Sequence, residues 1–390
     1  MVHENILFLQ SEVQDPYSFY DRMLLTDPVY FDKQNNIRAI YSYAGCKEIF
    51  TNAAACIPDV NPGNKSGLNE YALLISKNLA RLNDGTFHEI AKYTASRLFD
   101  SRKLISFAEL LNGLINASEN KKEIDWINTV VKRLPVISVL KSFDFNRSDI
   151  DFLTHSIQYI ARLIAPGKSA DEITGINETA EETYNKIDRH IRSSQFYQPL
   201  IDSLQEKYKM SMEDAVCLCV SNFIGLLIQS YDAGRGILSN SLLQILSNNT
   251  SNNNYSDKDF IRQSVIESVR FDPPLHNTRR IATEDIMLEN TFIKKEELIL
   301  VVIAAANRDP KQFIHPSKYD ISRPNNKEHL TFGMGAHSCL ANHYAVNMVT
   351  ETLFHLFEKY SSIALTNTII QYEPAINARL PKHLFITLTP

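Results

Sequence analysis

The alternation of apolar and polar positions predicts a mainly helical chain with a small β region. From about Gly85 to Leu246, apolar side chains recur every three to four residues, which is the period of a helix with one buried face. The longest helix is expected from about Ser211 to Leu246, a length of about 50 Å at the standard rise. Its middle, Phe223–Ile228, is apolar on nearly all faces, so we expect it to be buried. Asp214, three residues after Ser211, indicates a variant of the capping box at the start of this helix.

Shorter patterns define the elements around this helical region. Aromatic and β-branched runs at 28–33 and 37–41 flank the turn-forming residues 35–36, which indicates a hairpin. A helix over 257–271 should end before Pro273, because proline cannot continue it. The remaining elements expected are a strand at 298–303, an irregular segment at 309–334 and a helix from about Ala341 to Tyr360. Without an internal repeat, a linker or a sharp change of composition, the pattern favours a single domain over residues 1–390.

The charge balance narrows the classes of function. Of the 390 residues, 44% are hydrophobic and 22% charged, and the formal net charge is -5. This balance is typical of a globular protein. It argues against a nucleic-acid partner, because binding to phosphates requires a basic protein surface. Residues 1–10 lack the basic start and long apolar run of a signal peptide, and no later stretch approaches about 18 uninterrupted apolar residues. We therefore expect a cytoplasmic protein without a membrane anchor.

The cysteines indicate free thiols. Five are present, and an odd number in a chain without an export signal favours unpaired thiols over a disulfide framework. Cys217 and Cys219 lie two positions apart on a helical pattern, so their side chains point in different directions. Buried apolar thiols are therefore favoured there over a metal site.

One cysteine lies in a setting that suits metal chemistry. In the run 332–341, Cys339 comes just before a predicted helix, where unpaired backbone N–H groups and the helix dipole favour a thiolate. Gly333 and Gly335 permit conformations and close approaches that a side chain would block. A thiolate held in this way can bind haem iron. If the surrounding pattern were absent, we would interpret Cys339 as a buried cysteine in a glycine-containing turn.

The run reads aromatic-Gly-x-Gly-x-His-x-Cys-x-small, and it resembles the haem-binding signature of cytochromes P450 at every defining position. Residues 267–270, Glu-Ser-Val-Arg, resemble the family's Glu-x-x-Arg motif, and Arg323 occupies the place of the partner arginine. The segments 304–310 and 15–17 are also similar to bacterial members, so the resemblance covers essentially the whole chain. It implies the P450 fold, a helical triangular prism with a small β region, and an oxidoreductase of the monooxygenase class.

The resemblance further implies haem b (iron protoporphyrin IX) as the cofactor, with the thiolate of Cys339 on the iron. The acid at 267 and the arginines at 270 and 323 would form a buried ionic network that holds the cysteine loop, which is a structural task. The other residues that match the family's haem contacts are His88, Lys92, Arg280, Phe332 and His337. Lys92 stands where the family carries arginine. The positive charge is kept, but lysine cannot donate the two parallel hydrogen bonds by which a guanidinium binds a carboxylate.

The central helix departs from the family pattern. The family places a small residue, an acid and a threonine there, and the threonine hydroxyl orders the water that delivers protons. Gln229, Asp232 and Ala233 occupy these three positions. Ala233 has no hydroxyl to donate or accept a hydrogen bond. A substrate group, Ser230, Gln229 or an ordered water would therefore act in its place, or the reaction differs from the usual oxygen insertion.

Pocket-lining positions follow from the same resemblance. They are Ile228, Gln229, Asp232 and Ala233 on the central helix, His276, Asn277 and Thr278 before Arg280, and Ile376, Asn377 and Ala378 near the C-terminus. These positions mix apolar with hydrogen-bonding side chains, so a substrate with amide, amine or phenol groups is favoured over a bare hydrocarbon.

Three functions are compatible with the resemblance. The first is a monomeric oxidase of a small specialised metabolite, free or carrier-bound, that uses O2 and electrons from NAD(P)H through a ferredoxin and a ferredoxin reductase. The altered relay is compatible with substrate-assisted hydroxylation, oxidative coupling or desaturation as well as plain hydroxylation. The second is a peroxide-dependent haem peroxygenase, since Arg235 lies about one turn past the arginine of such enzymes. The third is a haem binder or sensor without turnover.

Two local expectations complete the picture. Gly234 and Gly236 weaken the central helix and favour a kink there. For the ferredoxin, Arg97, Arg102 and Lys103 are the expected exposed docking cations.

Overall fold

The computed structural model describes residues 5–58, 67–165, 167–248, 254–367 and 369–390. Within these ranges helices predominate and the strands form small sheets, which confirms the expected mainly helical class. Residues 1–4 of the segment considered for a signal peptide lie outside the described ranges.

The helices are α1 (Tyr17–Thr26), α2 (Tyr43–Thr51), α3 (Glu70–Asn78), α4 (Gly85–Asp100), α5 (Phe107–Asn116), α6 (Leu134–Ser142), α7 (Arg147–Ile160), α8 (Ala170–Ser193), α9 (Gln198–Tyr208), α10 (Met212–Gln229), α11 (Arg235–Ser247), α12 (Lys258–Phe271), α13 (Ile303–Ala306) and α14 (Asn342–Lys359). The strands are β1 (Val29–Asp32), β2 (Ile37–Ile40), β3 (Ala55–Cys56), β4 (Glu123–Asp125), β5 (Thr278–Ala282), β6 (Ile286–Leu288), β7 (Thr291–Ile293), β8 (Leu298–Val301), β9 (Ser362–Leu365) and β10 (Phe385–Thr389).

The chain divides into two compact units. The first contains the described parts of Met1–Pro58, Phe107–Lys132 and Ala233–Pro390, and the second those of Asp59–Ser106 and Arg133–Asp232. The single domain over residues 1–390 stays a prediction.

The largest sheet of the first unit has the strand order β1-β2-β8-β5-β3, in which β2 and β8 run parallel and the other neighbours run antiparallel. The predicted hairpin is confirmed as β1 and β2, and the carboxylate of Asp32 accepts hydrogen bonds from the backbone N–H groups of Gln34 and Asn35 in its turn. The strand expected to reach Ile303 ends at Val301, because Ile303 already begins the short helix α13.

In the second unit, α10 packs against α3, α4 and α8. Its apolar middle is buried as predicted, and the ring of Phe223 contacts the rings of Phe143 and Phe145. Cys219 is buried, and burial raises its thiol pKa to about 12. Cys217 is only half-buried and its sulfur accepts a hydrogen bond from an amide at 3.4 Å, so the prediction of two buried thiols is wrong for Cys217.

The long helix runs from Met212 to Ser247 and contains a π-turn at Ser230–Gly234, where the glycines had indicated a kink. At its start the Ser211 hydroxyl oxygen accepts from the backbone N–H of Asp214 at 3.1 Å, which is one of the two bonds of a capping box. The Asp214 carboxylate accepts from that hydroxyl at 2.7 Å. By length and composition this helix could cross a membrane, and 72% of its most apolar window is buried inside the protein.

Candidate functional site

The cysteine loop is shaped by its own backbone hydrogen bonds. The N–H of Cys339 donates to the carbonyl of Phe332 at 2.8 Å, and the N–H of Ser338 donates to the carbonyl of Gly335 at 3.1 Å. These bonds close the loop and leave Cys339 half-buried, three residues before α14 begins at Asn342. The predicted placement of the thiol just before a helix is confirmed.

Glycine is required at two places in this loop. Gly333 and Gly335 have φ angles of 64° and 67°, in the left-handed region that favours glycine. A Cβ atom at Gly335 would lie only 2.5 Å from the backbone oxygen of Phe50. The loop is therefore pressed against the end of α2.

Phe50 also contacts a predicted haem residue. The guanidinium of Arg280 lies 5.5 Å from the centre of the Phe50 ring, and its Nη1 donates to the carbonyl of Arg279 at 2.7 Å. Arg280 is buried on β5, and His337 lies half-buried in the same short turn as Gly335. Arg280 and the cysteine loop therefore share one neighbour, a contact that the sequence did not reveal.

The predicted ionic network is confirmed in the first unit. Arg270 donates two hydrogen bonds to the carboxylate of Glu267, at 2.7 and 2.9 Å, and Arg323 donates to the same carboxylate at 3.4 Å. The side chains of Glu267 and Arg270 are both 0% exposed. Removal of one partner would leave a buried charge uncompensated, which is strongly destabilising.

Asn307 and Thr331 connect the helix of this network to the cysteine loop. Thr331 donates from its hydroxyl to the carbonyl of Val269 at 2.8 Å and accepts from the Asn307 amide at 2.8 Å. The carbonyl oxygen of the Asn307 side chain accepts from the N–H of Leu330 at 2.7 Å. No role for Asn307 was predicted from the sequence. Its signal was a polar residue directly after three alanines.

The second unit carries the other predicted haem residues on α4. His88 is buried, and its Nδ1 lies 2.7 Å from the carbonyl oxygen of Ala80. Because a carbonyl can only accept, Nδ1 is the donor in this hydrogen bond. Lys92 is half-buried one helical turn later and therefore lies on the same side of the helix.

The relay candidates are arranged around the π-turn. The Ser230 hydroxyl donates to the carbonyl of Leu227 at 2.8 Å, so it remains able to accept a second hydrogen bond. Gln229 is exposed, whereas Ile228 is buried and Asp232 and Ala233 are half-buried. In the second unit the charge of Asp232 also affects the pKa of Arg81, a residue for which the sequence predicted no role. Burial lowers the pKa of Arg81, and the charge of Asp232 opposes that effect.

Two predicted pocket segments lie side by side in the first unit. The N–H of His276 donates to the carbonyl of Asn377 at 2.9 Å, and the Asn277 amide donates to the carbonyl of Ile376 at 3.0 Å. Thr278, half-buried, begins β5, and Ala378 forms an isolated bridge with Leu275.

The side chain of His276 has other partners. Its Nδ1 lies 3.1 Å from the hydroxyl of Tyr20, and its ring packs against Tyr17 and Tyr20. Burial lowers the pKa of His276, although the nearby carboxylate of Asp272 opposes this. The imidazole thus belongs to a buried tyrosine cluster, which gives it a structural task beside its predicted place in the pocket.

These residues suit a haem better than a metal held by protein alone. Among the described residues no group of three His, Cys, Asp or Glu side chains could hold a metal ion. In the first unit a single half-buried thiol, Cys339, lies in the loop that also contains His337 and contacts Phe50 beside the buried Arg280. An iron porphyrin brings four ring nitrogens and two carboxylates, so it needs one protein ligand and cationic partners.

Comparison with known proteins decides the family. The model of the family "Cytochrome P450" matches residues 243–380, which include the ionic network and the cysteine loop. The chain belongs to the cytochrome P450 family. It has the P450 fold and is an oxidoreductase of the monooxygenase type.

Relatives of this P450 are distant. The Biotin biosynthesis cytochrome P450 of Bacillus subtilis (strain 168) is 24% identical over 392 residues, 96% of this chain and 96% of that protein. Cytochrome P450 133B2 of Xylella fastidiosa (strain 9a5c) is 27% identical over 262 residues, 65% of this chain and 64% of that protein. A crystal structure of P450BioI in complex with an acyl carrier protein ligated to hexadec-9Z-enoic acid has a TM-score of 0.79 and 21% identity, and the match covers 96% of this chain and 98% of that one.

Proposed function

We propose that this P450 binds haem b through Cys339 and oxidises a small specialised metabolite with O2 and electrons from NAD(P)H. The observation that carries the proposal is the glycine-shaped cysteine loop, which holds one thiol before α14 and contacts Phe50 beside Arg280. Bound haem would supply the activation of dioxygen. His88, Lys92, Arg280 and His337 would hold its carboxylates, and Phe332 would border it in the loop.

The chain's own contribution is to position the substrate and to move protons. Asp232 is half-buried, so it can exchange protons with solvent while remaining next to Ala233 in the π-turn. Ala233 cannot relay a proton. We assign the missing hydroxyl to a polar group of the substrate, with Ser230, Gln229 or an ordered water as the other candidates. Ile228, Thr278 and the segment 376–378 would line the substrate pocket.

Carbon monoxide tests the cofactor and its ligand. Reduced wild-type protein with bound carbon monoxide should show the red-shifted absorption of a thiolate-ligated haem, because a histidine ligand does not produce that shift. The Cys339→Ser variant should lose this band. A matched Cys56→Ser variant, in which another half-buried cysteine is replaced, should retain it. A histidine-type spectrum in the wild type would contradict the proposal.

The coupling of NADPH consumption to product tests the relay. If a substrate hydroxyl or amide replaces the missing alcohol, a substrate analogue without that group should divert about half or more of the electrons to hydrogen peroxide in the wild type. Ala233→Thr should recover part of the product with the analogue and bring no gain with the true substrate. Asp232→Asn should slow turnover of both compounds about tenfold or more, because the acid supplies protons. Equal wild-type coupling with the two compounds would exclude substrate assistance.

We further propose that a ferredoxin and a ferredoxin reductase deliver the electrons to a monomeric, cytoplasmic enzyme. Of the three predicted docking cations, Arg97 is exposed, and Lys103 is exposed but paired with Asp144. The prediction of an exposed Arg102 is wrong, because its guanidinium packs 3.9 Å from the Phe99 ring centre and donates to the Phe99 carbonyl. NADPH consumption that requires added ferredoxin is the measurement.

A carrier-bound substrate is compatible with this proposal. The structure of P450BioI contains an acyl carrier protein, which supports a test of carrier-linked as well as free substrates here. The peroxygenase alternative receives less support, because Arg235 forms an ion pair with Glu373 through both of its terminal nitrogens. Product formation with peroxide alone would favour that alternative, and any product formation would exclude the haem sensor.

A further inference from the structure

We propose that the ion pair between Arg235 and Glu373 is a positioning device that determines which ligands fit this P450. The proposal rests on the haem-thiolate function proposed above and concerns the first unit alone. It assigns a role to a glutamate that the sequence did not single out.

The ion pair has a geometry that fixes orientation. Arg235 Nη1 lies 2.9 Å from Glu373 Oε1, and Nη2 lies 3.0 Å from Oε2. Two parallel hydrogen bonds fix the orientation of the guanidinium relative to the carboxylate. A single hydrogen bond would leave the two groups free to rotate. Arg235 is the first residue of α11 and follows Ala233 by two positions. Its partner is therefore tied to the end of the π-turn.

Glu373 lies in a narrow loop that we call the C-terminal hairpin, residues 371–382. The N–H of Glu373 donates to the carbonyl of Leu380 at 2.9 Å, and the N–H of Lys382 donates to the carbonyl of Gln371 at 2.8 Å. The turn of this hairpin contains the predicted pocket residues 376–378. Backbone hydrogen bonds thus connect the two strands of the hairpin at Glu373, between its base and its tip.

Other contacts press the C-terminal hairpin against α11. A Cβ atom on Gly236 would lie 2.3 Å from Pro274 Cβ and 2.7 Å from Leu380 Cδ2, so the helix approaches as closely as glycine permits. The Asn240 amide donates to the carbonyls of Asp272 and Arg379, both at 3.2 Å. Of these contacts with α11, the ion pair is the charged one.

The opposite side of the hairpin is held through its backbone carbonyls. Gln10 donates to the carbonyl of Ala375 at 2.8 Å, and residues 276 and 277 donate to the carbonyls of Asn377 and Ile376. Loss of the ion pair would therefore leave one side of the hairpin anchored and release the side toward α11. We expect the tip to shift locally while the fold persists, because the side chain of Glu373 is 26% exposed and water can reach the guanidinium that Glu373→Gln leaves without its counter-charge.

Two nitrogen ligands of different size test this inference on the holoenzyme. Imidazole is too small to reach far from a haem, whereas 4-phenylimidazole also fills part of the pocket. Spectral titration of Glu373→Gln should give a Kd for 4-phenylimidazole about three- to tenfold above the wild type and a Kd for imidazole within about twofold. Hydrogen exchange of the amides of Glu373 and Arg379, both bonded within this region, should accelerate about tenfold.

Glu297→Gln is the matched control. Glu297 pairs with Arg38 at 2.6 Å in the same unit, with side chains exposed by 8% and 14%, and its neutralisation should leave both Kd values and the hairpin amides unchanged. Arg235→Lys keeps the charge without the bidentate fork and should show a smaller effect in the same direction.

Several outcomes would overturn the inference. These are unchanged affinities in both Glu373→Gln and Arg235→Lys, equal losses for the two ligands, or the same selectivity change in Glu297→Gln. A wild-type protein that lacks a thiolate-ligated haem would instead refute the proposed function, so the two failures are distinguishable.

Discussion

Gly335 is subject to two constraints at once. Its φ of 67° is unfavourable for residues with a side chain, and a Cβ atom would meet the Phe50 carbonyl oxygen at 2.5 Å. The neighbouring backbone cannot move away easily, because it belongs to the end of α2 and continues toward β3. The conformation of the cysteine loop therefore requires a residue without a side chain at position 335.

We expect Gly335→Ala to weaken both haem binding and stability. Left-handed strain costs about 1–2 kcal/mol, and the contact with the carbonyl oxygen adds about as much, for a loss of about 3 kcal/mol in the free energy of unfolding. Haem content per protein and urea unfolding are the measurements.

Gly167→Ala provides the control for this substitution. Gly167 has a φ of 70°, but nothing lies within 4 Å of its added Cβ, so only the strain of about 1–2 kcal/mol should appear and haem content should be unchanged. If the two alanine variants behave alike, the close approach of Gly335 to Phe50 has no functional consequence.

At the scale of elements, a helix, strand or loop was predictable when the residues that indicate it lie close together in the sequence. The hairpin and the long helix have local signals, namely the turn around Asn35 and the cap at Ser211, and both elements occur where expected. The cysteine loop was also predictable, because its motif is contiguous and specific. The boundary at Val301 was not, since an apolar run does not reveal where a strand gives way to a short helix.

Contacts between distant parts of the chain had no such local signal. Glu373 lies 138 positions from Arg235, and neither residue belongs to a pattern that would connect them. For this reason the residues at the site were predictable by type and position, whereas the side chains that orient them required the structure.

At the scale of the whole molecule, several buried groups in the first unit favour one charge state. Burial and the nearby guanidinium of Arg270 lower the pKa of His329 to about 4, and burial lowers the pKa of His276. Burial opposes ionisation of Asp272, but hydrogen bonds and nearby cations lower its pKa to about 2. The folded chain therefore favours the neutral form of both histidines and the ionised form of Asp272.

These shifts predict that the protein loses stability as the pH falls. A histidine with a depressed pKa in the folded state binds fewer protons than it does in the unfolded chain, so its contribution is complete above about 6.5 and declines toward 4 for His329. His329 Nδ1 accepts from the N–H of Thr331 at 3.3 Å beside the cysteine loop, and a protonated ring cannot accept. For Asp272 the loss occurs between about 3.8 and 2.

Urea unfolding between pH 7.5 and 5 measures the histidine contribution. The free energy of unfolding should fall by about 1–2 kcal/mol through His329, with an added loss through His276. His329→Gln should be less stable than the wild type at pH 7.5 and should lose less stability on acidification, because the titrating ring is absent. His155→Gln, at an exposed position on α7, should retain the wild-type slope. A slope that is identical in the wild type and His329→Gln would show that protonation of this ring does not limit the acid stability of the fold.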